Sequence, residues 1–392
     1  MRPAQKNPGR RQPLGKLAML LGMLLLATVA VQQKVQAQNI DIQVLYQFAG
    51  TPDGGQVYGP LAGDSAGNLY GTTSQGGLYG KGSVWKLDAS GKETVLYSFN
   101  GPDSSIGYTG LVRDAQNNLY GMTLGGGTYG KGTVFKIDAG GNYQLLYSFS
   151  GPDGASPYAP NVIRDAAGNI YGTTASGGTS DMGVVFKLDP AGNETVLHSF
   201  SGPDGSLPTA GLIHDADGNL YGTTIGGGAF GGGMVFKLDS SGNQTILNSF
   251  SGSDGSGPTT SLIADARGNF YGTTEGGGAF GYGTVYQLDP AGTLTVLHSY
   301  DPNADGVEPF GRLVHDNYGN LWGTTETQGP LGWGAIYRLD RKGNITVYGF
   351  PDPTIGAYPF AGMIRDSQGN LYGGTTGGGA GVGWGTVYKI IP

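Results

Sequence analysis

The chain has 392 residues, a net charge of −7, no cysteine, 77 glycines and 21 prolines. The missing cysteines exclude disulfides and thiol chemistry, and the acidic balance argues against nucleic acid and anionic membrane as partners. Glycine and proline make up a quarter of the residues, a share that implies low complexity unless a period organises it.

Residues 1–37 stand apart. Arg2, Lys6, Arg10, Arg11 and Lys16 precede the apolar run from Leu17 to Val31, and Val35, Gln36 and Ala37 follow with small residues near a cleavage point. This pattern predicts a secretory signal cleaved near Ala37. Fifteen apolar residues are short for a membrane span, which needs about twenty, so the mature chain, 38–392, is expected to have none. Cleavage removes six of the 22 cations and none of the 29 acids, leaving a net charge of about −13.

The mature chain opens with the strand-like "IQVLYQF" from Ile42 to Phe48, and a heptapeptide of the type "GNLYGTT" then recurs seven times. Its copies begin at 67, 117, 168, 218, 268, 319 and 369, so the period is 50 or 51 residues. A period of this size marks a repeat architecture. In the fourth unit four strands are predicted, at "AGLIHDA", "NLYGTT", "GMVFKLD" and "QTILNSF", with "DADGN" and "DSSGN" as hairpin turns. The chain ends on "GTVYKII" (Gly385 to Ile391), which matches a third strand, whereas its opening matches a fourth. The expected fold is all-β: a seven-bladed β-propeller of four-stranded antiparallel blades, closed by the N-terminal strand completing the last blade. One domain spanning 38–392 and a monomer are expected.

The core "LYGTT..GG..G.GTVF" resembles the repeat of the secreted bacterial choice-of-anchor GloVer-containing tandem-repeat proteins. That resemblance covers nearly all of the mature chain. It implies export and an extracellular or cell-surface location, and it brings no catalytic residues. A narrower similarity, through "GNLWGTTE" at Gly319 and "GNITVYGFPDP" at Gly343, runs to streptogramin-lyase-like and NHL-type propellers and covers the blade pattern only.

The tight turns fall on one face of such a ring and the long glycine-rich loops on the other, where binding residues concentrate. Within blades the loops carry Tyr79, Tyr129, Phe230, Phe280, Trp333 and Trp384, read as one column. Between blades a second column reads Tyr58, Tyr108, Tyr158, Phe310 and Tyr358, interrupted by Thr209 and Thr259. Both columns are candidate stacking platforms for a glycan or peptide, and equally candidate covers for glycine loops. Asp103, Asp153 and Asp204, with Asp53, Asp254 and Asp305, stand in "PDG"-like turns as acceptors of backbone N–H groups; calcium is the alternative ligand, and no other cofactor is expected. Strings of the form G-x-G-x-x-G at Gly125, Gly226 and Gly276 precede strands, so they cradle no dinucleotide.

His198, His214, His298 and His315 occupy columns of mixed chemistry and read as solvent positions. Asp181, Glu275, Glu308 and Glu326 break the repeat with carboxylates on the loop face, and Glu275, Glu326 and Asp181 are the candidates for acid–base catalysis. The expected function is binding of an extracellular glycan or protein through the loop face. A carbohydrate hydrolase or lyase and a purely structural envelope component are the alternatives.

Overall fold

A computed structural model describes residues 40–105, 107–379 and 383–392; the signal-like segment 1–37 lies outside them. The described residues form seven four-stranded antiparallel sheets and no helix, arranged as the blades of a seven-bladed propeller. In the first blade the strands run from the channel outward as Ala62–Gly63, Leu69–Thr73, Ser83–Leu87 and Glu93–Ser98. The last blade takes Ile364–Arg365, Leu371–Gly374 and Thr386–Ile390 from the end of the chain, and Ile42–Gln47 from its beginning. Ile42 pairs with Ile390 and Gln47 with Thr386, so the ring closes antiparallel with one bulge between Val44 and Tyr46.

The repeated heptapeptide builds a hairpin and ties blades together. Asp64 accepts the backbone N–H of Asn68 at 2.9 Å, the Asn68 side-chain amide at 2.7 Å and the Tyr70 hydroxyl at 3.0 Å. The same three bonds recur at Asp165 and Asp215, and at Asp316 the indole of Trp322 replaces the phenol. The first threonine then reaches the next blade. Thr72 donates to the Gly107 carbonyl at 3.0 Å, Thr173 to Ala210 at 3.1 Å and Thr273 to Pro309 at 2.8 Å.

The heptapeptide's second glycine is small for a reason inside its own blade, where a close approach to a neighbouring blade would be the simpler expectation. A Cβ at Gly222 would lie 2.7 Å from the Phe236 ring, and one at Gly71 2.5 Å from Trp85, both on the adjacent strand.

Those third-strand rings are the core, and each is met edge-on by the aromatic residue that ends the preceding blade. Phe99 meets Phe135 at 5.7 Å, Phe149 meets Phe186 at 5.1 Å and Phe200 meets Phe236 at 5.4 Å. Phe48 meets Trp85 at 5.4 Å, so the same pair also spans the junction of the last blade with the first. Edge-to-face pairing is the favoured geometry of buried rings, and each partner is 3% exposed or less.

Candidate functional site

The connections before the inner strands and after the second strands meet at the mouth of the central channel, on the long-loop face. Tyr58, Tyr108, Tyr158, Phe310 and Phe360 line one cavity of about 230 Å³ there. Their rings are contiguous: Phe310 to Phe360 at 4.9 Å, Phe360 to Tyr58 at 5.0 Å, Tyr58 to Tyr108 at 4.5 Å and Tyr108 to Tyr158 at 5.6 Å. Five of seven blades thus give one aromatic arc. The other two supply Thr209 and Thr259, whose buried hydroxyls have no hydrogen-bond partner.

Phe360, and not Tyr358, belongs to this arc. Tyr358 stands two residues earlier with φ of 58°, at the position held by Gln56, Ser156, Leu207 and Glu308. Its backbone N–H donates to the Trp333 carbonyl at 2.9 Å and its ring lies edge-on to Trp333 at 6.1 Å. The near-identical spacing of Tyr358 and Phe360 hides which of them faces the channel.

The within-blade aromatics do not form one column. Tyr79, Tyr129, Phe230 and Phe280 are 54–69% exposed at the loop tips, and Tyr79 lies beside Val95 and Leu96 of the outer strand, on the rim of the ring. Trp333 and Trp384 stand two residues further along, at the position of Lys81, Lys131 and Met182. Their carbonyls, like those of Lys131 and Met182, accept the N–H of the first loop residue of the next blade. Trp384 packs on Gly50 and Gly55 and Trp333 on Tyr358, so both tryptophans seal blade junctions.

Three of the four irregular acids converge. Glu275 lines the mouth cavity, and Glu326 takes the same place in the next blade, each following a "GTT" strand end. The Glu326 backbone N–H donates to the Glu308 carbonyl at 3.0 Å, and the Glu308 carboxylate accepts the Thr327 hydroxyl at 2.8 Å. Burial, then the charge of Glu308, pushes Glu326 up to about 7 and raises Glu275 in the same sense. Burial, and after it neighbouring charges that include Glu326, raise Tyr58 and Tyr158 of the arc. Asp181 is apart from them. It sits exposed at a loop tip and accepts the Gly177 N–H at 2.8 Å.

Arg312 is the residue at the mouth that repeat reading misses. It lines the cavity at the inner-strand position where other blades have Pro60, Gly110, Gly211, Ser261 and Gly362. Its Nε has no hydrogen-bond partner, and among the described residues it makes no ion pair. Its signal is that it occurs once, in a chain where function is sought in what recurs.

The "PDG" aspartates are consumed by their own turns. Asp103 accepts the Tyr97 hydroxyl and the Asn100 amide, Asp153 the Tyr147 hydroxyl and the Ser150 N–H, and Asp204 the Ser201 N–H and hydroxyl. Among the described residues no group of three or more acids and histidines is arranged to hold a metal ion. Three histidines are not solvent positions: His315 is half-buried edge-on to Tyr271 at 5.0 Å, its Nε2 unpartnered. His198 lies 3.1 Å from Asp204 and His298 2.7 Å from Asp305, in the place of the tyrosines that serve Asp103 and Asp153. In these blades the varied residues of the column share one task, to partner the turn aspartate, which Asn248 does not do: its side-chain amide has no hydrogen-bond partner and Asp254 accepts from Ser251.

The repeat signature described as the Gloeobacter/Verrucomicrobia repeat matches residues 31–165 and 158–388. No curated protein matches the chain in sequence. Among solved structures, a streptogramin B lyase superposes with a TM-score of 0.63 at 14% identity, covering 90% of this chain and 98% of its own. Virginiamycin B lyase from Staphylococcus aureus gives 0.62 at 14%, covering 90% and 99%. The extracellular domain of a protein assigned as a hybrid two-component system from B. thetaiotaomicron gives 0.58 at 14%, over 91% of this chain and 41% of that one. At this identity the likenesses speak for the propeller fold alone.

Proposed function

The chain belongs to the Gloeobacter/Verrucomicrobia repeat family, and we propose that it is an exported propeller, secreted or held at the cell surface, that binds an extracellular glycan or protein at the mouth of its channel. The observation that carries this reading is the unbroken arc of five half-buried rings around a 230 Å³ cavity. Rings that only packed blade against blade would be covered, as the Phe200–Phe236 pair is. A cavity of this size admits one ring-sized group, such as the terminal sugar of a glycan or one side chain of a protein. The cationic, apolar N-terminal segment supports export. A glycan array and a capture assay with residues 38–392 test the reading. Binding is expected, and no binding in either format overturns it.

A second reading is favoured by one observation. Glu326 is held near 7, where a carboxyl group works as a general acid at neutral pH, so a bound carbohydrate could also be cleaved. Turnover by the wild type that Glu326→Gln abolishes while binding persists would establish the hydrolase or lyase alternative.

A further inference from the structure

The mouth cavity holds a cation that no carboxylate among the described residues pairs with. Arg312 is the guanidinium at its wall, with Nε unpartnered and, among the described residues, no carboxylate within ion-pair distance. Burial lowers its pKa without removing its charge in the physiological range. An unpaired buried charge is costly, and two responses to that cost are open to different groups. Carboxyl groups escape by taking up a proton, as the upward shifts of Glu275 and Glu326 record. Arginine has no such escape, so its charge stays until a partner arrives. Neighbouring blades place glycine or serine at the same position, so the fold does not need a long side chain there.

Two further unpaired groups at the cavity lining are the buried hydroxyls of Thr209 and Thr259, from the two blades that give the arc no ring. The site therefore offers a flat apolar wall and a fork of N–H donors suited to a carboxylate. Resting on the mouth as the binding site, we infer that its ligand is a six-membered ring bearing a carboxylate, an acidic sugar of the uronic type, with the ring on the arc and the carboxylate on Arg312. Glu275 and Glu326 add a pH dependence. Both lose charge as pH falls, so like-charge repulsion against the ligand weakens and affinity rises toward acid.

The test is calorimetric titration of residues 38–392 with glucuronate, glucose, glucosamine and benzoate at pH 6 and pH 8, beside Arg312→Ser and Arg312→Gly. Both variants reproduce side chains that the fold already accepts at Ser261 and Gly211. The expected result is a preference for glucuronate over glucose of about tenfold or more, larger at pH 6, and lost in both variants. Benzoate binding as tightly as glucuronate would keep the carboxylate and Arg312 but assign the ring to an aromatic acid. Glucose or glucosamine binding as well as glucuronate overturns the inference while leaving the mouth as a binding site. A glucuronate preference that survives in Arg312→Ser overturns it too, as does the absence of binding by every probe, and an array hit at the mouth would still separate that last result from failure of the site itself.

Discussion

Gln244 donates its side-chain amide to the backbone carbonyl of Asp204 at 2.9 Å, and in two other blades a glutamate stands where Gln244 does. Glu93 and Glu194 have an Oε1 with no hydrogen-bond partner. Burial, then the charges of Asp53 and Asp153, pushes each up to about 7 from an ordinary value of 4.5. A carboxyl whose pKa is raised on folding leaves stability intact below about 4.5 and removes it as pH rises through about 7. Glu93→Gln combined with Glu194→Gln should therefore raise the unfolding temperature at pH 8 and have little effect at pH 4. After allowance for solvent screening of these half-buried groups, the gain is about 1 kcal/mol per site. Thermal unfolding at the two pH values checks it, and equal shifts at both would assign the effect to something other than ionisation.

The edge-on ring pairs should dominate stability. Phe200→Ala leaves a cavity against Phe236 and should cost about 3–5 kcal/mol. Gly222→Ala drives a methyl into the same ring and should cost about 1–3 kcal/mol by overpacking. Denaturant titration measures both. If Gly222→Ala were neutral, the glycine would serve only its backbone.

Closure by the N-terminal strand is testable by deletion of residues 40–47. The strand Thr386–Ile390 would lose its partner and present an open edge, which invites pairing with another chain. Light scattering should show self-association and a lower unfolding temperature. A monomer of unchanged stability would mean that the closing strand contributes nothing.

The blades were legible because their signal is written seven times: Asp64 and Asn68, Tyr70 and Gly71 recur wherever a hairpin must close and a ring must pass beneath it. The face of the candidate site was legible for the same reason, since tight turns and long loops alternate. Which aromatics share the mouth was not. Tyr358 and Phe360, or Leu331 and Trp333, differ by two residues in loops whose spacing drifts by one, and only the backbone hydrogen bonds between blades decide the register. Arg312 was hidden by being single. Its charge gains meaning only when the cavity around it is known.

The most direct measurement of the central claim is titration of an array-positive ligand against two double variants. Tyr108→Ala with Phe360→Ala removes two rings of the mouth, and Tyr129→Ala with Phe230→Ala removes two equally large rings from the rim. Loss of stacking on two rings should weaken binding by about 2 kcal/mol or more, some thirtyfold, in the mouth variant and leave the rim variant unchanged. Binding that survives the mouth variant and falls in the rim variant would contradict the account and move the site to the outside of the ring.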